Sequence, residues 1–278
     1  MNNSQALIGY HPGESVIHRL SGAAKMLFFI LVSVAAMTSY DTRFLIFLAL
    51  ASLCLFRLSG IRLKDVSLVL ILAIVFAALN LVMIYLFAPQ YGTEIYGTKT
   101  VLLQGIGPYQ LTAEEVFYLL NVLVKYFCTV PLALLFLMTT HPSQFAASLN
   151  QIGVPYKIAY SVALTLRYIP DMQEEFYMIK KSQEARGLEL SSKGKLSQRI
   201  KGNLQIVTPL IFSSLERIEV IATAMELRRF GKGKGRSWYM GQRLGLADYL
   251  SLLLAALILG ISLFLFSLNG GRFYNPFI

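Results

Sequence analysis

Three stretches of this chain, residues 66–88, 116–138 and 246–268, are apolar for longer than a soluble core element needs. About 20 such residues, rising about 1.5 Å each as a helix, cross the roughly 30 Å of bilayer hydrocarbon. Lipid offers no partner to a bare N–H or C=O, so a spanning segment must satisfy its backbone internally, as a helix does. Composition agrees. The chain is 55% hydrophobic and only 14% charged, where an average soluble domain is about 25% charged. Its mean hydropathy is +0.58. A typical soluble enzyme, a disordered chain and a collagen-like chain are excluded. With Cys54 and Cys128 as the only cysteines, so are a disulfide scaffold and a zinc-finger array.

Two shorter runs complete the set. Residues 22–38 span from Gly22 to Thr38, with Lys25 near the start, where it is expected to reach the interface. Residues 44–56 are short and borrow Thr42, Arg43 and Arg57 as interfacial ends. A tight turn at Ser39, Tyr40 and Asp41 joins the two runs into a helical hairpin. The fold class is therefore all-α: a polytopic membrane protein with about five transmembrane helices. The first 21 residues are polar and the first apolar run lacks a small-residue cleavage site, so no cleavable signal peptide is expected.

Basic residues set the orientation. The net charge is +10 with His neutral. Loop 57–65 carries Arg57, Arg62 and Lys64, whereas loop 89–115 carries only Lys99, beside Glu94, Glu114 and Glu115. Sixteen of the 25 basic residues lie between 140 and 245. With the N-terminus inside, every basic loop is cytoplasmic, and the Tyr/Gly-rich loop 89–110 and the C-terminal tail are outside. The chain divides into residues 1–139 with four spans, a cytoplasmic or interfacial region 140–245, and a last span with tail, 246–278.

The middle region is too amphipathic for ordinary spans and too apolar for a disordered tail. Ser143 to Gln151 reads as a short helix ended by Gly153 and Pro155. Residues 156–169 are an apolar stretch that stops at Pro170 and either crosses, dips into or lies on the bilayer; Arg167 favours an interfacial end. Asp171 then starts a helix with Glu174 at capping-box spacing. Glu174 and Glu175 in its first turn and Lys180 and Lys181 later suit the helix dipole. It ends at Ala185-Arg186-Gly187, with Gly187 as the left-handed cap. Leu188 to Gly202 is a Ser/Lys/Gly-rich surface segment leading to a second helix, about Asn203 to Phe230. There Ile211, Leu215, Ile218, Ala222 and Met225 form one stripe at 4, 3, 4, 3 spacing, and Pro209 marks the first turn or a kink. Burying four large side chains of that stripe would contribute roughly 6–12 kcal/mol gross. The helix therefore needs a neighbour: another helix, the membrane surface or a partner protein.

The two helix ends rhyme. Glu184-Ala185-Arg186-Gly187 and Glu226-Leu227-Arg228-Arg229 each place Glu two residues before Arg. Arginines at helix C-termini are favoured by the dipole alone. Two with matched context, 42 residues apart, point instead to two equivalent receptors, as a dimer of similar subunits supplies.

Other residues carry less. Lys232-Gly233-Lys234-Gly235-Arg236 is a basic turn near anionic lipid and not a phosphate loop, since no Gly-x4-Gly-Lys-Ser/Thr occurs. Any ATP is held by other chains. Lys125 lies within the fourth span, where an ionisable residue is a functional candidate by default. No mid-span carboxylate completes a proton relay, so a structural or polar-cavity role is favoured; Asn80 is similarly ambiguous. His11, His18 and His141 have no metal-ligand spacing, so neither a metal site nor a cofactor is expected. The acids interleave with the bases and no RNA-binding motif occurs, so nucleic acid is not an expected partner. A membrane-embedded enzyme would need paired acids, HExxH or a Ser/His constellation, and none is present. A self-contained secondary transporter or channel, with Lys125 and Asn80 in its pathway, is the alternative reading.

These motifs resemble a family. Ile17-His18-Arg19-Leu20 with Lys25, Thr140-His141-Pro142, Leu149 with Gly153-Val154-Pro155, Leu166-Arg167-Tyr168-Ile169-Pro170, Glu184-Ala185-Arg186-Gly187 and Ala224-Met225-Glu226-Leu227-Arg228-Arg229-Phe230-Gly231 are similar to the CbiQ-like transmembrane T component of energy-coupling factor importers of vitamins and metal ions. The resemblance implies a non-catalytic subunit with long amphipathic cytoplasmic coupling helices, each ending in an arginine that enters one of two ABC-type ATPase subunits. It also implies a small substrate-binding membrane S component as partner. By position, Ala185, Arg186 and Gly187 and Leu227, Arg228 and Arg229 are the ATPase-coupling residues. Glu184, Glu226, Ile211, Leu215 and Ile218 support them. The second motif departs from the family pattern, with Leu227 for Ala and Arg229 for Gly, and Gly231 two residues on. Either Arg228 or Arg229 is then the inserted side chain, and position favours Arg228.

Overall fold

The computed structural model describes residues 13, 15–105, 109–187, 196–232 and 237–277. The described chain is helical apart from one two-stranded hairpin. The helices are α1 Val16–Arg19, α2 Gly22–Thr38, α3 Thr42–Leu58, α4 Leu63–Phe87, α5 Tyr91–Tyr96, α6 Ala113–Thr139, α7 Pro142–Gln151, α8 Tyr156–Ala185, α9 Leu196–Leu227 and α10 Leu246–Leu268. The strands β1 Val101–Leu103 and β2 Leu111–Thr112 pair antiparallel before α6. The expected outer loop is therefore partly ordered by α5 and this hairpin. The chain forms two compact units, one from residues up to His141 together with Gln242 onward, the other Pro142–Gly241.

In the first unit, α4, α6 and α10 are long and apolar enough to cross a membrane, and α2 is a shorter apolar helix. Asp41 starts α3 as the hairpin turn predicts: its Oδ1 accepts the Arg43 N–H at 3.0 Å. Phe44, Leu45, Leu48, Ala49, Ser52 and Phe56 recur at helical spacing on the buried side of α3, which packs on α6. The small residues Ala35, Ala36 and Ala255 are fully buried where α2 packs against α10. Small side chains let spanning backbones approach closely. Helix α4 has almost no buried face beyond Val66 and Ala77. A helix apolar all round belongs in lipid or against another membrane protein.

Polar side chains inside the bundle answer to backbone groups. Pro131 sits within α6 and has no N–H for the Phe127 carbonyl. The Ser52 hydroxyl of α3 donates to that carbonyl at 2.8 Å. Two lysines do the same for helix ends, whose last carbonyls lack intrahelical partners. Lys25 of α2 donates to Thr139 O, the last residue of α6, at 2.8 Å and to His18 O at 3.2 Å. Lys125 of α6 donates to Met37 O, near the end of α2, at 2.8 Å, and lies 3.1 Å from the centre of the Tyr40 ring. Each helix thus places a cation on the negative end of the other. The interfacial expectation for Lys25 is corrected: at 4% exposure it stays inside, because a bare carbonyl is the nearer partner. Asn80 is exposed on α4, away from Lys125's carbonyl and ring partners.

The second unit corrects three sequence expectations. Residues 156–169 and the helix from Asp171 are one helix, α8, with Pro170 inside it. Proline costs one hydrogen bond, and a long helix continues through it when the flanking turns are otherwise paired. Asp171 is then not a cap, and Glu174 and Glu175 are mid-helix. Helix α9 starts at Leu196, so Pro209 lies in its interior, not its first turn. The stripe Ile211, Leu215 and Ile218 is 52%, 52% and 60% exposed and does not face α8. Residues 188–195 and most of the basic turn, 233–236, lie outside the described residues.

The lysine exchange predicts that Lys125→Ala lowers stability in detergent by about 2 kcal/mol, since it bares a buried carbonyl and loses a charge-assisted bond. Thermal unfolding measures this. Unchanged stability with altered ion dependence of transport would instead mark Lys125 as part of a solute path.

Candidate functional site

The side chains between α8 and α9 fix their relation. Glu175 of α8 accepts from the Ser213 hydroxyl through Oε1 at 2.5 Å and from the Arg217 guanidinium through Oε2 at 2.8 Å. The Ser214 hydroxyl donates to Met172 Sδ at 3.1 Å. Further along, the Phe230 ring lies 5.8 Å from Tyr156 and 4.7 Å from Tyr160. Higher numbers on α9 meet lower numbers on α8, so the helices run antiparallel and their arginine-bearing ends point in opposite directions.

Polar and apolar residues of α9 share this contact. Ile206 is fully buried, and Leu210, Ser213, Ser214, Arg217, Ile221 and Met225 are half-buried, stepping at helical spacing. Of the expected apolar stripe, Ile211, Leu215, Ile218 and Ala222 are exposed on another face, and Met225 is half-buried. Glu175 is 17% exposed and Arg217 38%, so the pair is partly screened. A wholly exposed ion pair is worth about 0–1 kcal/mol, but hydrogen bonds to a charged group about 1.5–3 each. Their direction also sets the register at which the helices cross.

The two helix ends are built alike. In α8 the Arg186 N–H bonds Ser182 O and the Gly187 N–H bonds Glu184 O, with Gly187 at φ 88°. In α9 the Arg228 N–H bonds Ala224 O and the Arg229 N–H bonds Glu226 O, with Arg229 at φ 55°. The Phe230 N–H closes the α9 end onto Met225 O at 2.9 Å. This six-to-one bond with the five-to-two bond beneath it is a Schellman cap. Arg186 and Arg228 therefore occupy the same cap position, and Gly187 and Arg229 the same left-handed one. The backbone, and not only the alignment, pairs Arg186 with Arg228.

Glu184, Ala185, Arg186 and Gly187 are exposed, and so are Glu226, Leu227, Arg228 and Arg229. Glu184 leans back to Lys180 at 3.9 Å and leaves the Arg186 head clear of it. Leu227 is 80% exposed, a large apolar side chain where Ala185 stands in the other motif. The Phe230 end is held from the other side too. Trp238 lies 5.4 Å from the Tyr156 ring and donates through Nε1 to Asn150 Oδ1 at 3.1 Å.

The arms are equal. Glu175 precedes Arg186 by 11 residues, and Arg217 precedes Arg228 by 11. At about 1.5 Å per residue, each arm reaches roughly 16 Å from the Glu175–Arg217 contact. Sequence reading found both tips but not this crossing. No local pattern signals it, because its partners lie 38 and 42 residues apart along the chain.

Left-handed backbone costs a residue with a side chain roughly 1–2 kcal/mol relative to Gly. Arg229→Gly is thus predicted to stabilise the α9 end by up to about 1 kcal/mol after the greater chain entropy of Gly is counted. Hydrogen exchange at the amides of residues 228–230 measures it; faster exchange in the variant would contradict the cap.

The sequence was compared with known proteins. Residues 13–238 match the family model CbiQ, described as cobalt transport protein. Curated relatives include the energy-coupling factor transporter transmembrane protein EcfT of Exiguobacterium sibiricum, 30% identical over 249 residues, covering 83% of this chain and 88% of the relative. The protein of that name from Brevibacillus brevis is 32% identical over 242 residues, covering 82% and 85%. That from Lactococcus lactis is 26% identical over 266 residues, covering 93% and 96%. A match that runs from α1 through both arginine-tipped helices, with relatives aligned along most of their length, makes this chain a member of the CbiQ family.

Proposed function

We propose that the ends of α8 and α9 are the docking points of two ABC-type ATPase subunits, and that the crossed helices pass ATPase motion to a separate substrate-binding membrane subunit. The chain is the transmembrane component of an energy-coupling factor transporter, a non-catalytic subunit in a multi-pass helical membrane protein. The observation that supports the docking reading is the pair of identically capped arginines on equal arms. Two equivalent levers call for two equivalent receptors, and a dimer of nucleotide-binding subunits has them.

The chemistry suits the task. A helix is a stiff connector, so a rigid-body shift at its tip becomes motion of its whole length. An arginine is always charged and offers a planar five-donor fork to carboxylates and backbone carbonyls. Arg186 and Arg228 are the inserted side chains in this reading. Ala185 and Gly187 leave room for a groove to close around the stem, and Leu227 and Arg229 make the second socket wider or differently lined. The open stripe Ile211, Leu215 and Ile218 is the surface offered to the small membrane subunit or the bilayer. Arg57, Arg62 and Lys64 between α3 and α4 favour a cytoplasmic N-terminus and coupling region in the cell membrane. The cargo, a vitamin or metal ion, is chosen by the partner subunit.

Charge-assisted bonds of about 1.5–3 kcal/mol correspond to about 10–100-fold in affinity. Arg186→Ala with Arg228→Ala should therefore lose co-purification of the ATPases and solute uptake by at least that factor. Arg229→Ala should stay within about twofold, as surface substitutions do. Full ATPase binding and full uptake in the double variant would overturn the assignment.

A further inference from the structure

Two segments far apart in sequence meet where α10 begins. Arg19 ends the single turn of α1 and Leu20 follows it, Arg243 and Gly245 lead into α10, and Leu246 and Asp248 stand in its first turn; together they line a cleft of about 480 Å³. Both guanidinium groups are exposed, and neither is ion-paired with a described residue. Asp248 is the one acid lining the cleft, and both of its oxygens are engaged. Oδ1 accepts the Ser21 N–H and Oδ2 the Gly245 N–H, each at 2.8 Å. The cleft therefore keeps an excess of positive charge and two unused planar forks.

Beside it, sharing Leu20, an apolar slot of about 150 Å³ runs between α2, α6 and α10. Ile17, Phe28, Phe29, Leu132 and Leu254 are among its walls. Leu254 lies six residues beyond Asp248 along α10, roughly 9 Å deeper along the span. Lys25, also on the wall, is turned to the Thr139 and His18 carbonyls. A cationic cleft at the end of a spanning helix, opening onto an apolar slot, has the polarity profile of one amphiphile with an anionic head.

We propose that Arg19, Arg243 and the slot behind Leu20 form a binding site for a single anionic phospholipid, its phosphate on the two arginines and part of one acyl chain in the slot. Guanidinium forks match phosphate oxygens in pairs. A zwitterionic head would bring an ammonium group toward two arginines and is disfavoured. A free phosphate would gain nothing from the slot. The proposal stands independently of where the ATPases dock.

The test uses the full chain in its assembled transporter, delipidated in detergent and offered equal phosphatidylglycerol and phosphatidylcholine, with retained lipid counted by native mass spectrometry. The wild type should retain phosphatidylglycerol in preference, by roughly 30-fold for two basic contacts. Arg19→Gln with Arg243→Gln should bring the two lipids to parity. Arg19→Lys with Arg243→Lys should keep most of the preference, and Leu254→Trp, which fills the slot, should lower retention of both lipids. Equal retention of the two lipids by the wild type overturns the proposal whether or not any variant folds. An unchanged preference in the Gln variant overturns it too. So does release of the bound lipid by millimolar inorganic phosphate, which would show a site for the free ion.

Discussion

The Glu175 carboxylate makes the one charged contact among the described residues between the two long helices of the second unit. Glu175 binds α9 twice, through Ser213 and Arg217. Both bonds are directional, and apolar contact alone would leave the helices free to slide. The Glu175–Arg217 contact lies 11 residues before each arginine. The buried face of α9 mixes Ile206, Leu210 and Ile221 with Ser213, Ser214 and Arg217, and leaves Ile211, Leu215 and Ile218 exposed.

The first unit solves a different problem with the same kind of bond. In lipid an unpaired carbonyl costs several kcal/mol, and helix ends and prolines make such carbonyls. Lys25, Lys125 and Ser52 each answer one. These intramembrane polar residues, which on sequence alone compete for a role in transport, are engaged in holding α2, α3 and α6 together.

Much of this was legible in the residues. Five apolar runs, the Asp41 turn, the Gly187 cap and both arginine tips follow from local pattern, because each depends on neighbours within a turn. What was not legible depends on distant partners. Pro170 reads as a stop until tertiary contacts carry the helix through it. The stripe at Ile211, Leu215 and Ile218 reads as the buried face because periodicity finds an apolar side but not which side a neighbour takes. Glu175 reads as a helix-start acid because its partner is 42 residues away. Lys25 reads as interfacial because sequence does not show that the last carbonyl of α6 lies beside it.

The central claim is that both tips engage an external pair of motors. Photo-cross-linking residues placed at 186 and at 228, in the assembled transporter during ATP turnover, test it most directly. The account predicts that each position links to a nucleotide-binding subunit, with a yield that changes with the nucleotide state. Adducts confined to this polypeptide or to lipid, at both positions and in every nucleotide state, would contradict it.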